Sequence, residues 1–259
     1  MLQIFAALSV VAALNTPTQS AINNFCERAS ADECHQLTDA INASPVLVDQ
    51  LNEIASAGLL TSFAVTTSEN APIVRNTKFG AAIVDGTVSF TSEFLVQVKK
   101  NHSYDVTSPD DVYPNNLVFA LGHLAYHAKT ARDIKAFEEK WMLDVAAQAK
   151  ATPEGTPFNA NELFKQGQRK HLEDEACAYI QGWNDMLEAA ASENGGKPIS
   201  VRQLPKLLMN FRYGQVFVKS LRQPGNSIVL PFSGMIAMDK HNIDAVVEAL
   251  LSPRITDVQ

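Results

Sequence analysis

The sequence lacks an apolar run long enough to cross a bilayer, it lacks a basic stripe, and it is poor in cysteine. Its N-terminal apolar run, Ile4 to Leu14, is much shorter than the roughly 20 residues that a membrane helix needs. The formal charge of -7 is spread along the chain, without the alternation of basic and aromatic residues that follows a phosphate backbone. We therefore expect no stable membrane span and no nucleic-acid partner.

Internal repeats and low-complexity segments are absent as well. Apolar residues make up 46% of the 259 residues, which excludes a disordered chain and is enough for one large domain or two small ones. We expect a single domain from residue 22 to 259. Residues 1–21 are expected to form either a signal peptide or an N-terminal helix.

The N-terminus carries conflicting signals about the compartment. The apolar run and the polar, small residues after it are typical of a secretory signal, but no lysine or arginine precedes the run. A signal peptide would make the protein secreted or periplasmic. An amphipathic or buried first helix is the alternative, and the protein would then be cytoplasmic.

Only three cysteines are present, and two of them lie close together. Cys26 and Cys34 would be joined by a disulfide in an oxidising compartment. In one unbroken helix their Cα atoms would lie roughly 12 Å apart, which is too far for a disulfide. A disulfide therefore requires a turn near Ser30. We interpret Cys177, which stands alone, as a small buried hydrophobic residue.

Periodicity predicts a mostly helical α+β fold with a small antiparallel sheet. Ser44 and Pro45 begin a helix that Gly58 ends, and Asp239 can cap the last helix. Asp85-Gly86 is a hairpin signal between two β-branched runs. Strands are predicted at 60–67 and 79–91, a second hairpin at 227–238, and helices near 92–100, 115–129, 131–150, 160–192 and 200–222.

Two histidines, His123 and His127, stand four residues apart in an apolar helical run. This spacing directs two imidazoles to one side of a helix, as in the HExxH motif of zinc peptidases. Leu124 occupies the position of the glutamate that serves as general base in that motif. The same spacing also arises by chance in apolar helices, so the pair alone does not establish a metal site.

The order of the surrounding elements resembles the gluzincin metallopeptidases, in particular the soluble relatives of the CAAX prenyl proteases. The strand and short helix of that family match Gly86-Thr-Val-Ser-Phe-Thr-Ser-Glu-Phe-Leu95, and its metal helix matches Leu121-Gly-His-Leu-Ala-Tyr-His127. The resemblance covers roughly residues 79–185. It implies a zincin-like core with an edge strand, an HxxxH helix and a downstream acidic helix, in a metallopeptidase-like domain.

In that family the third zinc ligand is a glutamate on a downstream helix, and Glu175, which precedes an alanine, matches best. The resemblance therefore implies a Zn²⁺ site of His123, His127 and Glu175. Two imidazoles and one carboxylate leave a fourth position open, as in catalytic zinc sites. His171, one helical turn before Glu175, is a competing third ligand or a residue that supports one.

Leucine cannot take a proton from the attacking water, so the catalytic residues stay unknown. Glu173, Asp174, Asp110 and Asp111 are the alternative sources of a carboxylate, and the pattern of Glu173 to Glu175 is equally typical of a solvated helix face. Tyr126 points to a different helical face from both histidines and is therefore a weak candidate for stabilising an oxyanion.

Three hypotheses follow. The first is a zinc-dependent hydrolase of peptide or amide bonds, which binds its substrate as an extra strand along Gly86 to Thr91. The second is an inactive zincin, a pseudoenzyme that binds another protein. The third is a helical interaction module or secreted, toxin-type effector without metal.

Overall fold

The computed structural model describes residues 13–67, 80–102 and 114–252, except for the single positions 201, 212, 224 and 232. Residues 1–12 of the expected signal peptide or N-terminal helix, and the carboxylates Asp110 and Asp111, lie outside the described residues. In chain order the elements are α1 (Thr16–Cys26), α2 (Ala31–Ala43), α3 (Pro45–Ser56), β1 (Ser62–Thr66), β2 (Ala81–Val84), β3 (Thr87–Thr91), α4 (Ser92–His102), α5 (Asn116–Ala151), α6 (Asn161–Glu193), α7 (Gln203–Asn210), α8 (Gly214–Arg222) and α9 (Lys240–Leu251). The mostly helical α+β class is confirmed.

The sheet has three strands in the order β1-β3-β2, and it is mixed rather than antiparallel. The hairpin of β2 and β3 turns at Asp85 and Gly86, whose φ angles of 48° and 77° suit the tight turn that we predicted. β1 pairs in parallel with the other side of β3, with Ser62 opposite Thr87. β3 is therefore the central strand, and the prediction that Gly86 to Thr91 forms an exposed edge is wrong.

The disulfide between Cys26 and Cys34 links α1 to α2, with the two Cα atoms 4.9 Å apart. The turn that it requires is present, because α1 ends and Ser30 caps α2 through a capping box with Glu33. Helix α1 spans the expected boundary between residues 21 and 22, and it buries Ile22 and Phe25 in the core.

The longest helices, α5 and α6, form an antiparallel hairpin that crosses the core at its inner end. The predicted helices at 115–129 and 131–150 are one continuous helix, since neither glycine nor proline interrupts the sequence near Thr130. The two axes approach closely at Gly122 and Gly182. A Cβ atom on Gly182 would lie 2.5 Å from the carbonyl oxygen of Phe119, so the crossing requires glycine there.

The C-terminal region differs most from the prediction. The single helix expected at 200–222 is two helices, α7 and α8, separated at Phe211 to Tyr213. The hairpin expected at 227–238 is irregular in its described residues. Side chains hold it in place: Asn184 exchanges hydrogen bonds with the backbone of Ile236, and the indole of Trp183 donates to Gly234. Asp239 caps α9 as predicted.

A search of the described helices for a long apolar stretch that could cross a membrane found no candidate.

Candidate metal site

The inner half of α5 presents both histidines toward α6. The side chain of Asn115 caps the helix start by accepting a hydrogen bond from Val118, and the following turns are buried almost all round. His123 is 2% exposed, and the side chain of His127 is 27% exposed. One imidazole is therefore part of the core, while the other reaches its surface.

Helix α6 brings Glu175 to the two imidazoles. The Nε2 atoms of His123 and His127 are 3.0 Å apart, and Glu175 Oε2 lies 3.2 Å from the Nε2 of His127 and 3.7 Å from that of His123. Ligands about 2.0 to 2.1 Å from a tetrahedral ion lie about 3.3 Å from one another. The three atoms therefore form a triangle of the size that one such ion needs, and this group can hold a metal ion.

Asp174 supports the site from behind. Its Oδ2 lies 2.7 Å from Nδ1 of His127, while the hydroxyl of Thr130 donates to its Oδ1 at 2.8 Å. A carboxylate on Nδ1 fixes the imidazole orientation and keeps Nε2 available for a metal. From the sequence we considered Asp174 only as a substitute base or a solvated residue. Its position directly before Glu175, with Thr130 one turn after His127, was the available signal.

Their surroundings shift the pKa values of the two imidazoles in opposite directions. Burial is the main cause that lowers the pKa of His123 to about 3, so this ring is neutral and can bind a metal at physiological pH. Burial also opposes the charge on His127, but the hydrogen bonds with Asp174 and Glu175 outweigh it and raise the pKa to about 9. Metal binding must therefore displace a proton from His127 at neutral pH.

No substitute for the missing glutamate is evident on α6. Leu124 is buried at 5% exposure. Glu173 forms an ion pair with Arg169 at 2.8 Å, and Asp174 is engaged by His127 and Thr130. The described carboxylates that we considered as replacement bases thus already have partners.

His171 does not join the metal group. Its Nε2 lies 3.3 Å from a carboxylate oxygen of Glu138, and its side chain is 51% exposed. The hypothesis that His171 is a competing ligand is therefore wrong. His171 lies one helical turn before Glu175, but its imidazole points away from the metal group and toward Glu138 on the outer half of α5.

Aromatic side chains close the inner side of the site. The ring of His123 contacts those of Phe119 and Tyr179, with centroids 5.9 and 5.3 Å away. Tyr213, from the junction of α7 and α8, stacks on Phe119 at 5.1 Å. Tyr179 is itself buried in the core. The contribution of Tyr213 was missed, because the sequence does not show which segment covers the histidine helix.

A separate cavity of about 520 Å³ lies on the far side of Asp174, lined in part by Tyr126, Thr130 and Cys177. Burial raises the pKa of Tyr126, and the neighbouring thiol of Cys177 raises it further. Cys177 is buried, as expected, although one side of it faces this cavity. Tyr126 therefore lies behind the metal site, away from the position of an oxyanion stabiliser.

The sheet contacts the histidine helix α5 through strand β2. Since β3 has partners on both sides, a substrate cannot add to it as an extra strand.

The chain matches no protein-family model, no curated protein and no solved structure. The functional argument therefore rests on the residues and geometry of the site.

Proposed function

We propose that this protein is a zinc-binding, metallopeptidase-like protein that hydrolyses peptide or amide bonds. One observation carries the proposal: three ligand atoms from His123, His127 and Glu175 lie within 4.8 Å of one another, in the size range for one tetrahedral ion. The carboxylate of Asp174 behind His127 adds the support that metal-binding histidines commonly have.

Each residue around a bound ion would have a separate role. A zinc ion bound there would polarise a substrate carbonyl and lower the pKa of water. His123 is held neutral by burial, Asp174 orients His127, and the aromatic rings of Phe119 and Tyr179 exclude water from the inner side. The side chains of His127 and Glu175 are 27% and 30% exposed, which leaves an open side for a protein or peptide substrate.

A second candidate is an inactive zincin-like protein that keeps the metal and binds another protein, including as a secreted effector. The burial of Leu124 and the engagement of Glu173 and Asp174 favour it, because a hydrolase needs a base near the open position. We infer a secreted or periplasmic location for either candidate. The disulfide between Cys26 and Cys34 supports this inference, since such bonds persist in oxidising compartments.

Elemental analysis tests the metal site. Protein purified without a histidine tag or added metal should contain about one zinc per chain. The double variant His123→Ala/His127→Ala should contain none. His171→Ala is the matched control, because it removes a histidine that faces Glu138 instead of the metal group. Wild-type protein free of metal, or a double variant that retains it, would overturn the proposal.

Restoring the glutamate distinguishes the two candidates. Zinc-loaded wild-type protein, Leu124→Glu and the isosteric control Leu124→Gln are compared for cleavage of an unstructured protein substrate. Cleavage by wild type, abolished by His123→Ala/His127→Ala, supports the hydrolase. Cleavage by Leu124→Glu, but not by wild type or Leu124→Gln, supports the inactive zincin. If neither protein cleaves while both hold zinc, a peptidase role is rejected.

A further inference from the structure

The outer half of α5 leaves the core beyond Ile134, where α9 still lies nearby, and the contacts described for the remaining part of the helix are with α6. Ile134, Phe137, Trp141 and Val145 are half-buried at the spacing of one helix face. Trp141 identifies this as the face toward α6, because its indole donates to the carbonyl of Leu163 at 2.8 Å. Within the described part of the chain, the opposite face of α5 is therefore exposed over this length.

That exposed face carries a defined stripe, which we call the outer stripe: Glu139, Met142, Leu143, Ala146 and Lys150. All five are exposed, and their spacing of three and four residues places them along one side of the helix. Met142 is 59% exposed and Leu143 is 71% exposed. Two large apolar side chains so exposed on neighbouring positions are typical of a surface that another helix covers.

The charges of the outer stripe lie at its ends and have opposite signs. Glu139 is on one side of the apolar centre and Lys150 is on the other, and within the described part of the chain neither forms an ion pair. We propose that the outer stripe is a dimer interface, in which α5 of a second copy packs antiparallel across it around a two-fold axis between residues 144 and 145.

The register follows from the sequence positions. When Leu143 of one copy lies against Ala146 of the other, Glu139 falls opposite Lys150, and the two-fold axis repeats both pairs. A parallel pair in register would instead place Glu139 against Glu139 and Lys150 against Lys150. Because like charges repel and opposite charges attract across a helix pair, the antiparallel dimer is the arrangement that this pattern favours.

One helix pair is a small interface, so we expect a dimer with a dissociation constant of about 1 to 100 μM. Sedimentation velocity of the full chain over a concentration series measures it directly, with and without zinc. Leu143→Glu should weaken the dimer at least about tenfold, because it places a charge at the apolar centre. The result should not depend on zinc, since the outer stripe lies away from His123, His127 and Glu175.

Charge reversal provides the decisive comparison. Glu139→Lys and Lys150→Glu should each weaken the dimer about tenfold, and the double variant should restore it to within a few-fold of wild type. Asp144→Lys is the matched control, because Asp144 is exposed on α5 outside the outer stripe and its reversal should change nothing. A wild-type monomer at all concentrations, or a double variant as weak as the single ones, would overturn the proposal.

Discussion

The inner and outer halves of α5 belong to one helix but lie in different environments. From Asn116 to Ala125 every residue is buried, whereas from Arg132 onward none is. The inner half holds His123 in a setting dry enough to shift its pKa, while the outer half has α6 on one side only. A single helix thus combines a region that tunes chemistry with a region suited to association.

Glycine substitutions test this difference most strongly. A Cβ atom on Gly122 would lie 2.0 Å from Oδ2 of Asp185, while one on Gly167 would meet the ring of Trp141 at 3.1 Å. We expect Gly122→Ala to lower the free energy of unfolding by about 3 kcal/mol, because the buried Asp185 carboxylate must move away from Gln50 and Gln181 to make room for the methyl group.

Gly167→Ala should change the free energy of unfolding by less than about 1 kcal/mol, since better helix propensity offsets a small shift of Trp141. Urea unfolding followed by circular dichroism measures both variants. Equal effects would show that the two halves of the hairpin are packed alike.

A buried acid provides a test by pH. Burial raises the pKa of Asp185 from 3.8 to about 7, against hydrogen bonds from Gln50 and Gln181 that lower it. Between about pH 4 and pH 7 the folded chain keeps a proton that the unfolded chain has lost, so this group makes stability fall as pH rises. At about 1.4 kcal/mol per pKa unit, the free energy of unfolding lost over this range is at most about 4 kcal/mol.

Asp185→Asn should remove that decline. We expect the variant to gain about 2 to 3 kcal/mol relative to wild type on going from pH 4 to pH 8, after local relaxation is allowed for. Urea titrations at a series of pH values measure it. Parallel stability curves for the two proteins would mean that Asp185 is ionised in the folded state throughout this range.

The hydrogen bond between His127 and Asp174 provides the next test. Asp174→Asn should lower zinc affinity about 10- to 100-fold, because a neutral amide holds the imidazole less strongly. Asp133→Asn removes an exposed carboxylate from the lining of the neighbouring cavity and should leave zinc affinity unchanged. Competition with a chromophoric chelator provides both dissociation constants. An unchanged affinity in Asp174→Asn would remove Asp174 from the site.

Replacement of the two tryptophans should give the smallest difference in stability. Trp183 is fully buried and its indole donates to Gly234, whereas the half-buried Trp141 donates to Leu163 in the outer hairpin. We expect Trp183→Phe to cost about 2 kcal/mol and Trp141→Phe about 1 kcal/mol, because the hydrogen bond of Trp183 is fully buried while that of Trp141 is partly exposed. Thermal unfolding resolves the two, and a larger loss in Trp141→Phe would contradict the comparison.

Features set by neighbouring residues were predictable from the sequence. Asp239 and Ser44 cap the helices that follow them, and Asp85-Gly86 forms the expected turn. His123 and His127 share one side of α5 because their spacing fixes it. The prediction that Glu175 is a ligand depended on the resemblance to a family. The structure places Glu175 beside both histidines.

Features that depend on distant partners were not predictable. A β-branched run indicates a strand, but it does not show that β1 joins the free side of β3 in parallel. The pattern of segment 227–238 predicts a hairpin, yet part of its backbone is satisfied by Asn184, which lies 52 residues before Ile236, and by Asn242 of the helix that follows. The role of Asp174 likewise depends on α5 lying against α6, which no local pattern shows.

The close crossing at Gly122 and Gly182 has a further consequence for ion selection. Neither glycine contacts a metal, but together they set how near the backbone of α5 comes to that of α6, and hence how far apart the imidazoles and Glu175 can lie. Helices usually pack with axes about 8 to 10 Å apart, and larger side chains at the crossing increase that distance. We infer that two residues without any ligand atom help to set the size of the ion that His123, His127 and Glu175 could hold.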